Sequence, residues 1–404
     1  MLKFYTDEEN NFREIFNPNS GFYIRTGILE NDKDTGIDPF MRNFPALIDV
    51  GIMGRCQHGK SGLCAHAGIQ CYQSGPKYEQ PNMTLDDFKR IIDEGKEHGL
   101  FQVALGGRGD PDMHENFEKI LQYSKENGVV PNFTTSGLGM TTMKARLCKK
   151  YCGAVAISWY RSEYTIRAIE ELQRAGVKTN IHYVLGNNSI DEAIERLRNQ
   201  DFPKGINAVI FLLHKPVGLG KQYNVLKYND PKVKLFFDII NEGNLPFKVG
   251  FDSCSVPGIL NLTDKITPES IDSCEGARFS MYITPDMIAL PCSFDQGHEW
   301  AYDIKNDTIL NAWNSEAFNR FRKSFQIACP DCPNRTSCYG GCPICSSVTL
   351  CDRPEKKRHF CGDCAHYIGG GDWNLCCDLP HPEAGCCGHL CYKDTPACDK
   401  YEMK

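Results

Sequence analysis

The chain has 404 residues, 41% hydrophobic and 24% charged, an ordinary balance for one large globular domain plus a smaller one. Its net charge of −6 leaves no basic footprint for nucleic acid. The opening "MLKFYTDEENNFREIF" is charged throughout, which argues against a secretory signal. No apolar run approaches the roughly 18 residues needed to span a bilayer. A cytoplasmic protein with no membrane partner is expected, and its thiols stay reduced. There, 22 cysteines read as metal ligands rather than disulfides.

Residues 1–46 read as an approach segment without strong periodicity. A β/α alternation follows. "ALIDVGI" (46–52) predicts a buried strand, and "TLDDFKRIIDEGKEHG" a helix with Thr84 as N-cap and Asp86 and Asp87 in its first turn. Strands are then expected at "LFQVALGG", "VVPNFTTSG", "AVAISWY", "VKTNIHYVLG" and "INAVIFLLH". Helices are expected between them, at "HENFEKILQYSKENG", "TTMKARLCKKYCG", "SEYTIRAIEELQRAG" and "SIDEAIERLRNQ". In the third of these, Ile166, Ile169 and Leu172 recur at helical spacing and mark one buried face. The strands are apolar on both faces, as a parallel sheet between helices requires. Six such units predict an α/β fold, either a partial or open barrel or a doubly wound sheet. Chemistry then belongs at the carboxyl ends of the strands. A helix at "DPKVKLFFDIINEG" and a strand at "FKVGFDS" close the region near residue 253. From Cys274 onward, closely spaced cysteines leave little apolar material for a core, so metal would have to hold that segment together.

Three constellations carry chemistry. After the first strand, "GRCQHGKSGLCAHAGIQCYQSG" spaces Cys56, Cys64 and Cys71 as C-x7-C-x6-C. Three thiolates can hold a 4Fe–4S cube and leave one iron open. Cys56, His58, Cys64 and His66 could instead supply the four ligands of a zinc site. After the second strand, "LGGRGDPDMHE" places Gly106, Gly107 and Gly109 where the backbone can approach a ligand closely. Asp110 adds an acceptor suited to an ammonium group. Downstream, Cys329, Cys332, Cys338 and Cys342 give C-x2-C-x5-C-x3-C, a strong metal signal. Cys148 and Cys152, on a helix, read as packing.

Together these motifs resemble the radical SAM enzymes, whose core is a partial (β/α)6 TIM-like barrel. "CYQ" at 71–73 is similar to the end of that family's cluster loop, and "GGRGDP" to its GGE turn, with Asp110 in place of Glu. "NFTTSG" and "VAISWY" resemble its third- and fourth-strand segments, and "INAVIFLLHKPVGLGKQ" its sixth strand and the loop after it. The resemblance implies a SAM-binding 4Fe–4S cluster on Cys56, Cys64 and Cys71. It implies S-adenosyl-L-methionine held by Gly106, Gly107, Gly109 and Asp110, with Ser158 near the ribose. The stretched spacing costs little. Loop closure rises only about 0.6 kcal/mol per doubling of length, against metal binding on the order of 10 kcal/mol.

The later cysteine block resembles the SPASM extension, a small Cys-rich domain holding auxiliary 4Fe–4S clusters. By that resemblance Cys329, Cys332 and Cys338, completed by Cys351, serve one cluster. Cys274, Cys292 and Cys342 serve another, with an open iron or a ligand borrowed from Cys254 or Cys345. The implied organisation is an approach segment (1–46), a barrel (47–253), an auxiliary-cluster domain (254–352) and a Cys-rich tail (353–404). Eight tail cysteines, Cys361 to Cys398, suit a structural zinc module. The implied function is anaerobic radical modification of a peptide or protein substrate, fed by a flavodoxin- or ferredoxin-type donor, with no catalytic side chain assigned. The alternatives are a sulfatase-type formylglycine maturase, weakened by Ser293 after Cys292, and a non-catalytic zinc or iron–sulfur scaffold.

Overall fold

The computed structural model describes residues 2–58, 62–74, 79–267, 270–326, 328–329 and 332–351. The tail cysteines from Cys361 to Cys398 lie outside the described residues.

The approach segment is more regular than its sequence suggests. Strands β1 (Lys3–Asp7), β2 (Phe12–Phe16) and β3 (Tyr23–Arg25) form an antiparallel meander. The residue pairs Leu29–Glu30 (β4) and Lys33–Asp34 (β5) make a short ladder. These strands are short and bury one face only, so their alternation is weak in sequence. Phe12 and Phe16 anchor that face in full burial.

The barrel strands follow as β6 (Leu47–Met53), β7 (Gln102–Gly107), β8 (Val130–Thr135), β9 (Val155–Ser158), β10 (Thr179–Leu185), β11 (Ala208–Leu213) and β12 (Lys248–Phe251). All pair in parallel, in chain order. A one-turn helix α1 (Leu63–His66) lies in the loop after β6. Between the strands run α2 (Leu85–Glu97), α3 (Phe117–Glu126), α4 (Thr142–Tyr151), α5 (Glu163–Arg174), α6 (Ile190–Asn199) and α7 (Pro231–Glu242). Thr84 caps α2 by accepting from Asp87 N, as expected. Ile169 and Leu172 of α5 are buried, with Ile166 packed beside them. Cys148 is buried in the core, with Cys152 packed against it.

The downstream segment is not held by metal alone. After α8 (Val256–Leu262), strand β13 (Ser280–Ile283) pairs in parallel with β6 and so extends the barrel sheet. The antiparallel strands β14 (Ile288–Leu290) and β15 (Tyr302–Asp303) follow. Helices α9 (Ile309–Trp313) and α10 (Glu316–Gln326) then add Trp313, Phe318, Phe321 and Phe325, all fully buried. The expectation of too little apolar material therefore fails for this stretch, because the cysteines sit in its loops and the aromatics in its elements. Helix α11 (Arg335–Cys338) lies inside the last cysteine block.

One buried ion pair lies within the approach segment, and its arginine also reaches the barrel at Gly99. Arg42 donates to Glu14 Oε2 at 2.8 Å, and neither side chain is exposed. Its other nitrogens reach the carbonyls of Phe44, Pro45 and Gly99, so the guanidinium is well satisfied. Breaking such a pair from one side strands the other charge. Arg42→Ala should lower unfolding free energy in urea by about 3–5 kcal/mol; a loss below about 1 kcal/mol would show the pair to be dispensable.

Candidate functional site

The loop after β6 carries Cys56, Cys64 and Cys71, and its neighbours clasp it along its length. Arg108 N donates to Met53 O at 2.9 Å, and Leu219 N to Cys71 O at 2.9 Å. Asn188 Nδ2 reaches Gly68 O at 3.2 Å, and Gln70 Oε1 accepts from Lys221 N at 2.8 Å. Gly218, at φ +62°, lies so close under Tyr72 O that a Cβ would collide with it. The loop after β11 thus closes on the third cysteine.

The glycine turn after β7 has two roles. A Cβ on Gly107 would stand 2.5 Å from Met53 O, and one on Gly109 2.5 Å from Arg55 O. These two glycines admit the cysteine loop rather than a ligand. Gly106 differs, since a Cβ there meets nothing within 4 Å. It is the turn position that opens onto free space.

Asp110 ends this turn inside a buried network. His58 Nε2 lies 2.7 Å from its Oδ2, and Ser136, just past β8, gives its backbone N to Oδ1 at 2.8 Å and its hydroxyl to Oδ2 at 2.5 Å. Burial opposes the charge of Asp110, but the His58 bond, its charge and the Ser136 bonds outweigh it and hold the carboxyl below its usual range. The Asp110 bond in turn raises the His58 imidazole above its ordinary value, against desolvation. Three donors fill three of the roughly four acceptor positions of a carboxylate. Among the described contacts, one acceptor position on Oδ1 is left over.

The three thiols are neighbours. Burial pushes Cys64 up to about 11, and Cys56 and Cys71 add to the shift, while a bond to Tyr160 Oη at 3.3 Å opposes it. Among the described residues, no group of three or more His, Cys, Asp or Glu side chains is arranged ready to hold a metal ion. Of the histidines offered for zinc, His58 is bonded to Asp110 and His66 is exposed. The donor chemistry suits a cube, whose corner ligands stand farther apart than the ligands of one ion. The thiols are not in disulfides, and Cys56 and Cys71 lie near Cys64. Ser158, at the end of β9, is half-buried and lies in register with His182 of β10. Beside the loop, a cavity of about 300 Å³ is lined by Gln70, Arg161, Asn188, Glu192 and His214, among others.

In the downstream block, Cys332 N bonds Cys329 O at 3.0 Å, and Cys338 N bonds Asn334 O at 2.9 Å. A Cβ on Gly340 would stand 3.4 Å from Cys329 Sγ. These three cysteines therefore share one compact run, whereas Cys351 lies beyond it, half-buried. Cys274, Cys292 and Cys342 form a second group, in which burial drives Cys292 well above the thiol range and Cys274 and Cys342 add to it. Sequence reasoning missed Tyr160, Ser136 and the buried pair of Lys215 with Asp252. None stands at a diagnostic spacing; each is brought in by a strand end.

Residues 274–333 match SPASM, an iron–sulfur cluster-binding domain. The chain is 23% identical to the mycofactocin maturase MftC of Mycolicibacterium smegmatis over 317 residues, covering 69% of this chain and 75% of that protein. It is 22% identical to the PqqA peptide cyclase of Bradyrhizobium diazoefficiens, covering 64% and 73%. In fold it resembles Streptococcus suis SuiB bound to the precursor peptide SuiA. There the TM-score is 0.62 at 14% identity, over 88% of this chain and 100% of that one.

Gly109→Ala should push the Arg55 backbone out of place and cost about 1–3 kcal/mol by overpacking. Thermal unfolding checks this, and a melting point equal to that of the native chain would refute the close packing.

Proposed function

From its place among the radical SAM enzymes with a SPASM iron–sulfur extension, we propose that this protein cleaves S-adenosyl-L-methionine reductively and abstracts hydrogen from a peptide, as in ribosomal-peptide maturation. One observation carries the reading. The loop of Cys56, Cys64 and Cys71 is packed against the Gly106–Asp110 turn at the carboxyl ends of parallel strands. The segment downstream is of SPASM type.

Cys56, Cys64 and Cys71 would hold a 4Fe–4S cluster with one iron open to the methionyl end of the ligand. Bound there, cluster and S-adenosyl-L-methionine supply the one-electron cleavage that yields a 5′-deoxyadenosyl radical. The protein positions and shields. Asp110 offers its remaining acceptor position to the methionyl ammonium, held in orientation by His58 and Ser136. Gly106 leaves room for that group, and Ser158 stands at the fourth strand end for the ribose. The clasp by the loop after β11 covers Cys71 and excludes water. Cys329, Cys332, Cys338 and Cys351 would hold one auxiliary cluster; Cys274, Cys292 and Cys342 take part in another. A flavodoxin- or ferredoxin-type donor and a cytoplasmic setting belong to the same proposal. No described helix is long and apolar enough to cross a membrane.

The sulfatase-type alternative gains nothing here. Asp295, the nearest carboxylate after Cys292, is buried and accepts from Glu299 N at 3.0 Å and Trp300 N at 3.1 Å. It closes a turn.

Anaerobically reconstituted protein with dithionite and S-adenosyl-L-methionine should yield 5′-deoxyadenosine, and Cys71→Ala should yield none. A wild-type preparation that carries only zinc and forms none would end the proposal. Gly106→Ala should keep its iron yet bind S-adenosyl-L-methionine at least about tenfold more weakly, a cost of about 1.4 kcal/mol. Equilibrium binding reads this, and unchanged affinity would remove Gly106 from the site.

A further inference from the structure

The SPASM match starts at Cys274, and the chain has no cysteine between Cys274 and Cys292. A site built on Cys274, Cys292 and Cys342, the last of them just past that segment, is one thiolate short of four. Resting on the function proposed above, we propose that Cys254, upstream of the matched segment, is the fourth ligand of this auxiliary cluster.

Cys254 sits in a single 3-10 turn, Ser253–Ser255, directly after β12. The turn is fixed to the barrel. Asp252 Oδ1 accepts from Ser255 Oγ at 2.7 Å, and Asp252 Oδ2 accepts from Leu213 N at 3.2 Å and from the Lys215 ammonium. Lys215 is itself buried, bonds Leu213 O at 3.0 Å and lies 4.6 Å from the ring of Phe294. The Cys254 position is therefore set by two barrel strands, not by the cysteine block.

That position delivers a buried thiol to the group. Cys254 and Cys342 are hydrogen-bonded to each other. Cys292 feels the charges of Cys274, Cys254 and Cys342, and Cys342 also feels that of Cys274. Thiols from four separate segments thus lie within electrostatic reach of Cys292 and Cys342. Lys215 faces both Cys254 and Cys342. A buried cation there offsets the negative charge that four thiolates bring to a cluster.

A fifth thiol, Cys345, also adjoins Cys342. Its part is different. Cys345 lies in the same tight turn as Cys342, and its backbone N–H donates to Cys342 Sγ at 3.3 Å. Hydrogen bonds to a ligand sulfur orient it and tune the cluster. What sets Cys345 apart is its place in the same turn as Cys342, whereas Cys254 enters from the barrel.

The test is iron lability. The full chain is reconstituted anaerobically with iron and sulfide and mildly oxidised. The iron taken by a chelator is then counted, and the EPR spectrum recorded. Removing one of four thiolates opens one corner of a cube. Cys254→Ser should therefore release about one more iron per chain than wild type, with an added three-iron EPR signal. Cys345→Ser should match wild type. If Cys254→Ser matches wild type, or if Cys345→Ser alone gains the extra loss, the assignment is overturned. Should Cys254→Ser not fold, Cys254→Asp keeps an oxygen ligand in place. It should retain its iron while shifting the EPR signal of one cluster, and an unshifted spectrum overturns the assignment. A wild-type chain that binds no clusters would end the proposed function itself; a wild type with clusters and an unaffected variant would end this inference alone.

Discussion

The hydrogen bond between His58 and Asp110 is the constraint on which the site depends. The cysteine loop is long, and nothing in its own sequence makes it converge. His58 lies two residues past Cys56, and its bond at 2.7 Å fastens the front of the loop to the glycine turn. Ser136 fastens the same carboxylate to the end of β8. Three consecutive strand ends are joined through one buried aspartate. Truncating a member would leave the others buried with unmet partners, which is why such networks rigidify when complete.

The same economy shapes the contact between the two metal regions. Tyr72, beside Cys71, packs on Phe294 at 4.5 Å between ring centroids, and Lys215 Nζ lies over the Phe294 ring, 4.6 Å from its centroid. Cys292 is two residues before Phe294. The third cysteine of the first loop and the auxiliary thiols are therefore braced by a common aromatic pair. Strand β13, paired with β6, joins the two regions through the sheet as well. The downstream segment is a continuation of the barrel's packing, not an appendage held on by metal.

How much of this could be read from sequence follows from where information is local. The barrel strands and their helices obey periodicity and capping, and Thr84, Ile169 and Leu172 behave as their spacing implies. The placement of Cys56, Cys64 and Cys71 was legible as a loop after the first strand. The meander at 3–25 was not, because strands of three to five residues with one buried face leave little pattern. Nor was the role of His58, which the spacing offered as a zinc ligand and the fold gives to Asp110. Gly107 and Gly109 looked like room for a ligand; their neighbours prove to be the backbone of the cysteine loop. Long-range partners of this kind carry no signature in a single sequence.

The auxiliary thiols share a largely buried setting. Cys292 and Cys254 hold their protons well above the usual thiol range, and Cys342 is pushed up to about 12. For Cys342 the Cys254 bond lowers the value, but the Cys345 bond and burial outweigh it. A raised thiol favours its neutral form, the form that burial in a group tolerates. Bound metal must displace those protons, and loading therefore grows more favourable as pH rises. The thiolates then created need compensation, and two buried cations already stand there: Lys215 beside Cys254 and Cys342, and Arg278, which donates to Cys274 O at 3.0 Å. Lys215 is balanced by Asp252 in the meantime. A hydrophobic core surrounds the site, and the ion pair at its edge sets a cation beside its thiols.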